Sequence, residues 1–261
     1  MSNGRLVELV TALEEDLLDF MRRHRVTHSE YRAATDLIIS SIKQGEESLL
    51  LDVFLEAQAT DISNIDRVGS PEAIEGPFYV HGAPFLPAPS VMPQRSDEPG
   101  TVLFFTGRVT NSLGHPVPEV EIDLWHADAQ GLYSNIHPDI PDFNLRGRFR
   151  ADSQGIFEVR TILPPPYEIP KAGPTGYLLS QMGRHYFRPA HLHMKLRHPD
   201  YDEMTSQLYF AGGEYLDSDV ANAVRDGLIE ELIYVTDIQQ IESRELKAPF
   251  YIYEYNFVMP T

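Results

Sequence analysis

The chain has 261 residues, of which 42% are hydrophobic and 23% charged, a length and composition suited to one large or two modest soluble domains. Its net charge of −18 argues against nucleic acid and anionic membrane surfaces as partners. The absence of cysteine excludes disulfides and thiolate metal sites. No apolar run approaches the roughly 20 residues that cross a bilayer, and the first residues lack a signal-peptide pattern. We therefore expect a cytoplasmic protein without membrane insertion.

The N-terminal third has helical periodicity and little proline or glycine. Apolar residues spaced by three and four predict an amphipathic helix over residues 5–23. Thr27 and Glu30 have the spacing of a capping box ahead of a second helix over residues 29–43. A third helix begins near Glu46, and its apolar residues predict burial on more than one side. These helices either cap the main domain or pair, through the first of them, with a partner subunit.

A long connection without regular periodicity follows the helices, over residues 61–100. Such segments are uncommon in compact domains and are often functional. Its GPFY sequence can hold Phe78 and Tyr79 close to another group, because Gly76 and Pro77 restrict the backbone.

From Thr101 onward the apolar residues alternate with a period of two. The sequence VLFFTGRVT, a turn at NSLGHPVP and EVEIDLWHAD predict a β-hairpin. Further strands are predicted over residues 146–151, 156–162, 190–196, 206–210 and 251–258. The fold class is therefore mainly β, with an antiparallel sandwich or barrel over residues 101–261 and a helical and linker region over residues 1–100.

The strand over residues 190–196 carries His191 and His193 at positions i and i+2. Residues at this spacing point to the same face of a strand, so the two imidazoles can bind one metal ion. Two exposed surface histidines are the simpler alternative. Arg188 precedes the pair, and Gln207 can reach it if the strand over 206–210 lies beside it. A buried guanidinium near a cation would be costly, so this arginine suggests an anionic ligand between them.

Two tyrosines in turns, Tyr133 and Tyr167, could complete a site of nitrogen and oxygen donors with these histidines. The histidine motif contains no carboxylate, so a ferrous site of two histidines and one carboxylate is not supported. Zinc remains possible, although the usual third ligand motif is missing.

The segments WHADAQGLYS, LRGRFRAD, PPPYEIP, GPTGYLLSQMGRH and RPAHLH resemble the intradiol ring-cleaving dioxygenases of the catechol 1,2-dioxygenase group. The GPFYV sequence after a helical third resembles the same group, and the resemblance extends over residues 30–258. It implies one ferric iron, Fe(III), and places the side chains of six residues at the site. By the resemblance, the four iron ligands are Tyr133, Tyr167, His191 and His193. The two residues that act on the substrate are Arg188 and Gln207. The resemblance also makes Tyr167 a mobile ligand that leaves the metal and accepts a substrate proton.

The resemblance further implies a substrate pocket for a small aromatic diol that reacts with O₂ to give a muconate-type or maleylacetate-type diacid. Its lining residues are Leu49, Asp52, Val53, Ile74, Gly76, Phe78, Val220 and Ala221. Plain catechol enzymes tend to have proline at the position of Asp52, whereas hydroxyquinol and chlorocatechol enzymes tend to have aspartate. The segment GEYLDSD resembles hydroxyquinol enzymes and SQLYFAGGEY resembles chlorocatechol enzymes, so we expect a substituted catechol.

The resemblance also implies a homodimer through the N-terminal helices, with an apolar tunnel that can hold a phospholipid. Two alternatives of other classes are a zinc-dependent hydrolase that uses His191 and His193, and a β-sandwich binding module without catalytic activity.

Overall fold

The computed structural model describes residues 3–260, which divide into two compact units. The first ends at Glu47 and the second begins at Ser48. The functional boundary near residue 100 that the composition suggests stays a prediction. Within residues 3–260, no helix combines the length and the apolar character that crossing a membrane requires.

The first unit contains two helices, α1 (Asn3–His24) and α2 (His28–Lys43), as the periodicity predicts. The capping box is present: the backbone N–H of Glu30 donates to Thr27 Oγ1 at 3.3 Å, and the N–H of Thr27 donates to a Glu30 carboxylate oxygen at 2.7 Å. No residue of α1 is buried in the single chain. Its apolar side is therefore exposed.

The third predicted helix is continuous but not uniform. It consists of α3 (Glu47–Leu51), one π-helical turn (Asp52–Glu56) and α4 (Ala57–Asn64). Leu49, Leu50 and Val53 are buried, whereas Leu51 and Leu55 are more than half exposed. The expectation of burial on several sides is wrong, because these leucines lie on the side opposite the buried residues. The π-helical turn widens the helix, a distortion that is common at functional sites.

The rest of the chain is rich in strands, with two further helices, α5 (Pro174–Gln181) and α6 (Ile238–Ser243). The strands are β1 (Ser90–Val91), β2 (Val102–Asn111), β3 (Glu121–Trp125), β4 (Arg146–Arg150), β5 (Ile156–Ile162), β6 (Tyr167–Glu168), β7 (Phe187–Arg188), β8 (His191–His198), β9 (Tyr201–Phe210), β10 (Ile229–Glu230), β11 (Leu232–Val235), β12 (Phe250–Glu254) and β13 (Phe257–Met259).

These strands form two main sheets and one small one. The first sheet has the order β1-β5-β2-β12-β11, with β13 also paired to β2, and the second has the order β10-β9-β8-β3-β4. The small sheet pairs β6 with β7. A mainly β fold with a helical N-terminal region is confirmed, although the sheets are mixed: β1–β5, β2–β12, β2–β13 and β9–β10 are parallel pairs.

A single apolar core joins the two main sheets. Phe105 of β2 and Val159 of β5 lie in the same buried cluster as Leu124 of β3 and Met194 of β8. Because side chains alternate along a strand, the residues of β8 beside Met194 point to the other face of the second sheet. That outer face carries His193, and the functional site is built there.

The predicted hairpin of β2 and β3 is wrong. The strand β2 pairs with β5, β12 and β13, whereas β3 pairs with β4 and β8 in the opposite sheet. The turn signals between them mark a crossing from one sheet to the other. Alternation shows which face of a strand is buried and leaves its pairing partner undetermined.

Candidate active site

The two histidines of β8 project from the outer face of the second sheet, with their side chains close together. The Nε2 atoms of His191 and His193 are 2.9 Å apart, and both residues are buried. In the register of the sheet, His193 lies opposite Trp125 of β3 on one side and Gln207 of β9 on the other. The Trp125 ring stacks on the His193 ring, with centroids 4.9 Å apart. The predicted same-face pair is therefore present, and it is not a surface pair.

Both imidazoles are held in the neutral form. Two effects lower the pKa of His191 to about 3: burial, which is the larger, and the positive charge of Arg188. Burial, and then His191, lower the pKa of His193 well below its ordinary value. The Nδ1 atom of His191 lies 2.7 Å from the carbonyl oxygen of Pro189, where it can only donate, so its Nε2 carries the lone pair. A neutral imidazole with an oriented lone pair is a metal ligand.

Tyr133 approaches the histidines from the loop between β3 and β4. The Asp128 side chain accepts backbone N–H bonds from Gln130 and Leu132 at 2.9 and 3.0 Å, which closes this loop. The Tyr133 side chain is buried, and its ring centroid lies 6.1 Å from that of His193. The guanidinium carbon of Arg146 lies 5.7 Å from the centre of the Tyr133 ring. The loop thus fixes the direction of this phenol.

Tyr167 lies beside Tyr133 and the other histidine, His191. Its ring centroid is 5.3 Å from that of Tyr133 and 5.5 Å from that of His191. The prediction that Tyr167 lies in a loop rather than a strand is wrong, because it begins the short strand β6 and pairs with Arg188 of β7. Only two residues of each strand pair, so the support for Tyr167 is far shorter than the support for the histidines.

The four side chains form a donor set that fits a hard, highly charged metal ion. The buried Tyr133 hydroxyl has no hydrogen-bond partner with good geometry in the described part of the chain. Burial, and then the neighbouring phenol of Tyr167, raise the pKa of Tyr133 well above its ordinary value. Burial also raises the pKa of Tyr167, against the opposing effect of Arg188. A buried phenol without a partner is costly, and a bound cation would remove the cost by stabilising the phenolate.

The donors beside the two imidazoles are phenols and not carboxylates. Among residues 3–260, no cluster of three or more His, Asp or Glu side chains is suited to a metal ion. A histidine–carboxylate metal site of the common zinc or ferrous type is therefore not formed by this part of the chain.

Arg188 lies beside the histidines in a fully buried polar network. Its NH2 atom donates to Gln207 Oε1 at 2.9 Å and to the Tyr209 hydroxyl at 3.1 Å, and its NH1 atom lies 3.4 Å from His191 Nε2. Asp219 accepts from its Nε and NH2 atoms at 3.1 and 3.0 Å. The sequence suggests that an anionic ligand balances the charge of Arg188. That reasoning is wrong, because the carboxylate of Asp219 already supplies the negative charge.

Four of the eight residues expected to line a substrate pocket pack beside this group. Leu49, Val53, Phe78 and Val220 belong to the same buried apolar cluster as the two tyrosines. The Phe78 ring centroid lies 4.8 Å from that of Tyr133 and 6.2 Å from that of Tyr167.

The remaining pocket residues lie at the edges. Ile74 and Ala221 form a neighbouring apolar cluster, and the Ile74 carbonyl accepts from Gln207 Nε2 at 2.7 Å. A Cβ atom added to Gly76 would lie 3.6 Å from the His193 ring, so the backbone of Gly76 lies close to that ring. Asp52 is half-buried in the π-helical turn and accepts a hydrogen bond from Ser48.

Sequence reasoning missed three residues that support this group: Trp125, Tyr209 and Asp219. Tyr209 follows Gln207 by two positions on β9, so the same-face rule could have found it. The other signals are weaker. Trp125 is the single tryptophan of the chain but precedes a loop, and Asp219 lies in a turn without periodicity.

Comparison with known proteins agrees with this architecture. Two family models match the chain: "Catechol dioxygenase N terminus" over residues 3–70 and "Dioxygenase" over residues 74–260. The chlorocatechol 1,2-dioxygenase of Rhodococcus opacus is 42% identical over 232 residues, which cover 88% of this chain and 90% of that protein.

Solved structures are similar over nearly the whole chain. The crystal structure of 3-chlorocatechol 1,2-dioxygenase from Rhodococcus opacus 1CP superposes with a TM-score of 0.90 at 40% identity, covering 99% of each chain. Hydroxyquinol 1,2-dioxygenase from Pseudomonas putida DLL-E4 has a TM-score of 0.88 at 28% identity, covering 99% of this chain and 93% of that one.

The fold and these matches define an oxidoreductase, an intradiol dioxygenase. The chain belongs to the catechol 1,2-dioxygenase family.

Proposed function

We propose that the protein is a non-haem Fe(III) dioxygenase that cleaves a substituted catechol between its two hydroxyl-bearing carbons, with O₂ as co-substrate. The observation that carries the proposal is the close grouping of two buried phenols and two neutral imidazoles: the Tyr167 ring centroid lies 5.3 Å from that of Tyr133 and 5.5 Å from that of His191, and the two histidine Nε2 atoms are 2.9 Å apart. Tyr133, Tyr167, His191 and His193 would hold the ion. When bound, ferric iron would supply a Lewis-acidic centre that the two adjacent hydroxyls of a catechol can chelate, which makes the ring reactive toward O₂.

We assign Tyr167 the role of proton acceptor. Its phenolate oxygen, when not bound to the ion, would accept the proton of one catechol hydroxyl. Two features support this role: the Tyr167 backbone pairs through a strand of only two residues, and its ring lies within 5.3–5.5 Å of both Tyr133 and His191. The Tyr133 loop is closed by several hydrogen bonds, which suits a ligand that stays in place.

Arg188 and Gln207 act on the substrate side of the group. A fixed guanidinium in a buried site stabilises negative charge that develops on the ring, since a preorganised charge needs no reorganisation during the reaction. The Gln207 carbonyl accepts from Tyr209 at 2.6 Å and from Arg188, and its amide donates to Ile74. The second amide hydrogen is then the part of Gln207 that can orient a substrate oxygen.

The lining favours a chlorinated catechol over hydroxyquinol. Leu49, Val53, Phe78 and Val220 present apolar surface next to the phenols. Asp52, the side chain that could bind a third ring hydroxyl, is half-buried and accepts a hydrogen bond from Ser48, so a third hydroxyl would have to share this carboxylate with Ser48. An apolar wall accepts a chlorine substituent without leaving a polar group unpaired, whereas a third hydroxyl would need a partner there. Gly76, Ile74 and Ala221 complete the lining.

The test is a panel of catechol, 4-chlorocatechol and hydroxyquinol with iron-loaded protein, following O₂ uptake and the absorption of the ring-opened diacid. We expect a visible band from tyrosinate-to-iron charge transfer, turnover of the panel, and the highest kcat/KM for 4-chlorocatechol. A coloured protein that consumes no O₂ with any of the three would contradict the proposal. A colourless protein that is active with zinc would favour the hydrolase, and iron binding without turnover would favour the binding module.

We further propose that the protein forms a homodimer through its N-terminal helices, with room for a phospholipid. The exposed apolar side of α1, which includes Leu13 and Leu17 at 59% and 53% exposure, supports this assembly. Sedimentation should give a dimer for the wild type and a monomer for the Leu13→Glu, Leu17→Glu double variant. Mass spectrometry of an organic extract of the dimer tests for the lipid.

A further inference from the structure

Asp219 is a buried carboxylate that the mechanism above does not use. Its side chain is 2% exposed and lies in the turn between β9 and β10. Burial alone would raise the pKa of Asp219, but the charge and hydrogen bonds of Arg188 and the backbone N–H groups of Ala223 and Ala221 outweigh burial and lower it. The residue is therefore an anion within the polar network.

The bonds to Asp219 determine which part of Arg188 faces the site. The carboxylate accepts from Nε at 3.1 Å and from NH2 at 3.0 Å, which is the bidentate geometry of a strong arginine–carboxylate pair. The NH2 atom also reaches Gln207 and Tyr209. The NH1 atom, 3.4 Å from His191 Nε2, is then the donor directed toward the substrate position.

The same carboxylate also holds the pocket wall. Its two oxygens accept the backbone N–H groups of Ala221 at 3.2 Å and Ala223 at 3.0 Å. This short segment carries Val220, which packs with the tyrosines, and Ala221. One side chain thus binds both the catalytic guanidinium and the segment that contacts the substrate ring.

We propose that Asp219 is a positioning residue that fixes the Arg188 guanidinium relative to the Val220–Ala221 wall, so that NH1 meets the substrate at a constant place. The proposal rests on the proposed function, since it concerns the charge that Arg188 presents to the ring. An asparagine at this position would keep one acceptor oxygen but would lose the charge and half of the bidentate pair. Arg188 would then be a buried cation without a counter-charge, and its guanidinium would be held mainly by its neutral partners Gln207 and Tyr209.

The experiment compares Asp219→Asn with Asp217→Asn, which removes the same formal charge from an exposed position two residues away. Both variants are made in the wild type and in Arg188→Gln. We expect Asp219→Asn to lower kcat by about 100-fold, the loss typical of a misplaced catalytic group. The anaerobic dissociation constant for 4-chlorocatechol, read from the shift of the visible band, should change far less than kcat. Asp217→Asn should match its parent.

The double variant decides whether Asp219 acts through Arg188. In the Arg188→Gln background, Asp219→Asn should reduce kcat by no more than about threefold, because the group that it positions is gone. A full loss in both backgrounds, or no loss in either, would overturn the proposal. If Asp219→Asn does not fold, Asp219→Glu, which keeps the charge but lengthens the side chain, is subject to the same two comparisons.

A crystal structure of the Asp219→Asn protein gives a result that does not depend on turnover. A rotated or displaced Arg188 guanidinium supports the proposal, and an unmoved one overturns it. Wild-type protein that binds iron but turns over no catechol would instead refute the proposed function.

Discussion

Gly131 lies where the loop that carries Tyr133 passes the backbone of Tyr167. Its φ angle is +81°, and a Cβ atom placed on it would lie 2.8 Å from Tyr167 Cβ and 3.5 Å from Tyr167 Cα. A contact of 2.8 Å to an atom next to the main chain cannot be relieved by a side-chain rotation. Gly131→Ala should therefore push Tyr167 away from the other three donors.

The size of the effect can be estimated from two contributions. A non-glycine residue with positive φ costs about 1–2 kcal/mol, and forcing a methyl group into a filled space costs about 1–3 kcal/mol. The chain also supplies a matched control: Gly114 has φ of +78°, and an added Cβ atom there meets nothing within 4 Å. Gly114→Ala should therefore be destabilised only by the cost of a positive φ angle, without a steric clash.

The assay follows thermal unfolding of the apoprotein, then measures iron per chain after loading and desalting. With about 2–4 °C lost per kcal/mol for a protein of this size, Gly131→Ala should lower Tm by on the order of 10 °C, against about 4 °C for Gly114→Ala. Gly131→Ala should also retain less than about half of the wild-type iron, because a displaced ligand weakens the site. If Gly131→Ala and Gly114→Ala agree in both measurements, the close approach of Gly131 to the Tyr167 backbone is not what holds Tyr167 in place.

Three further predictions concern other buried groups. Tyr133→Phe should lose more iron on dialysis than Tyr167→Phe, since the loop of Tyr133 is fixed; equal loss would contradict the assignment of Tyr167 as the mobile ligand. Burial lowers the pKa of His126 from 6.5 to about 4, so the folded state keeps its ring neutral and loses stability as the pH falls from about 6.5 toward 4. In urea unfolding, the free energy of unfolding of His126→Gln should fall less between about pH 6.5 and 4 than that of wild type. An equal fall in both proteins would refute the reasoning. Burial, and to a smaller extent the charge of Asp52, raise the pKa of Glu56 above 4.5. The folded protein therefore has its full stability with Glu56 protonated, below pH 4.5, and loses part of it as the pH rises through the raised pKa. The free energy of unfolding of Glu56→Gln, measured relative to wild type, should therefore increase as the pH is raised over this range. If the difference between the two proteins does not change with pH, the ionisation of Glu56 does not destabilise the fold.

Local periodicity is sufficient to predict the part of the site that lies on long strands. The alternation of β8 places His191 and His193 on one face, and the neighbouring strand brings Gln207 to the same face, because side-chain direction repeats every two residues. The tyrosines lie outside such elements, in a loop and at the start of a two-residue strand. Their assignment came from the resemblance to a family, since no periodic rule relates a loop residue to a distant strand.

Pairing between elements is the part of the fold that periodicity does not contain. The alternation at β3 places Val120, Ile122 and Leu124 on one face, and all three are buried, yet β2 and β3 lie in different sheets. The same turn signals can end a hairpin or a crossing between sheets, and the choice depends on which other strands bury both edges. The π-helical turn is likewise not predictable from periodicity, because a single wider turn leaves the apolar pattern of the helix around it almost unchanged.

The charge balance of the site shows the same limit most clearly. From sequence alone, Arg188 near two metal-binding histidines implies that some anion must compensate it, and a bound ligand is the nearest candidate. The compensating group is Asp219, which lies 31 residues further along the chain and is separated from Arg188 by the antiparallel pair β8 and β9. A buried charge therefore predicts that a counter-charge exists, but its origin in the chain or in a ligand depends on the tertiary structure. Because Asp219 neutralises the guanidinium before any substrate arrives, the role that we propose for Arg188 is to stabilise charge that forms during the reaction rather than to attract an anion beforehand. This proposal agrees with a catechol that enters as a neutral diol.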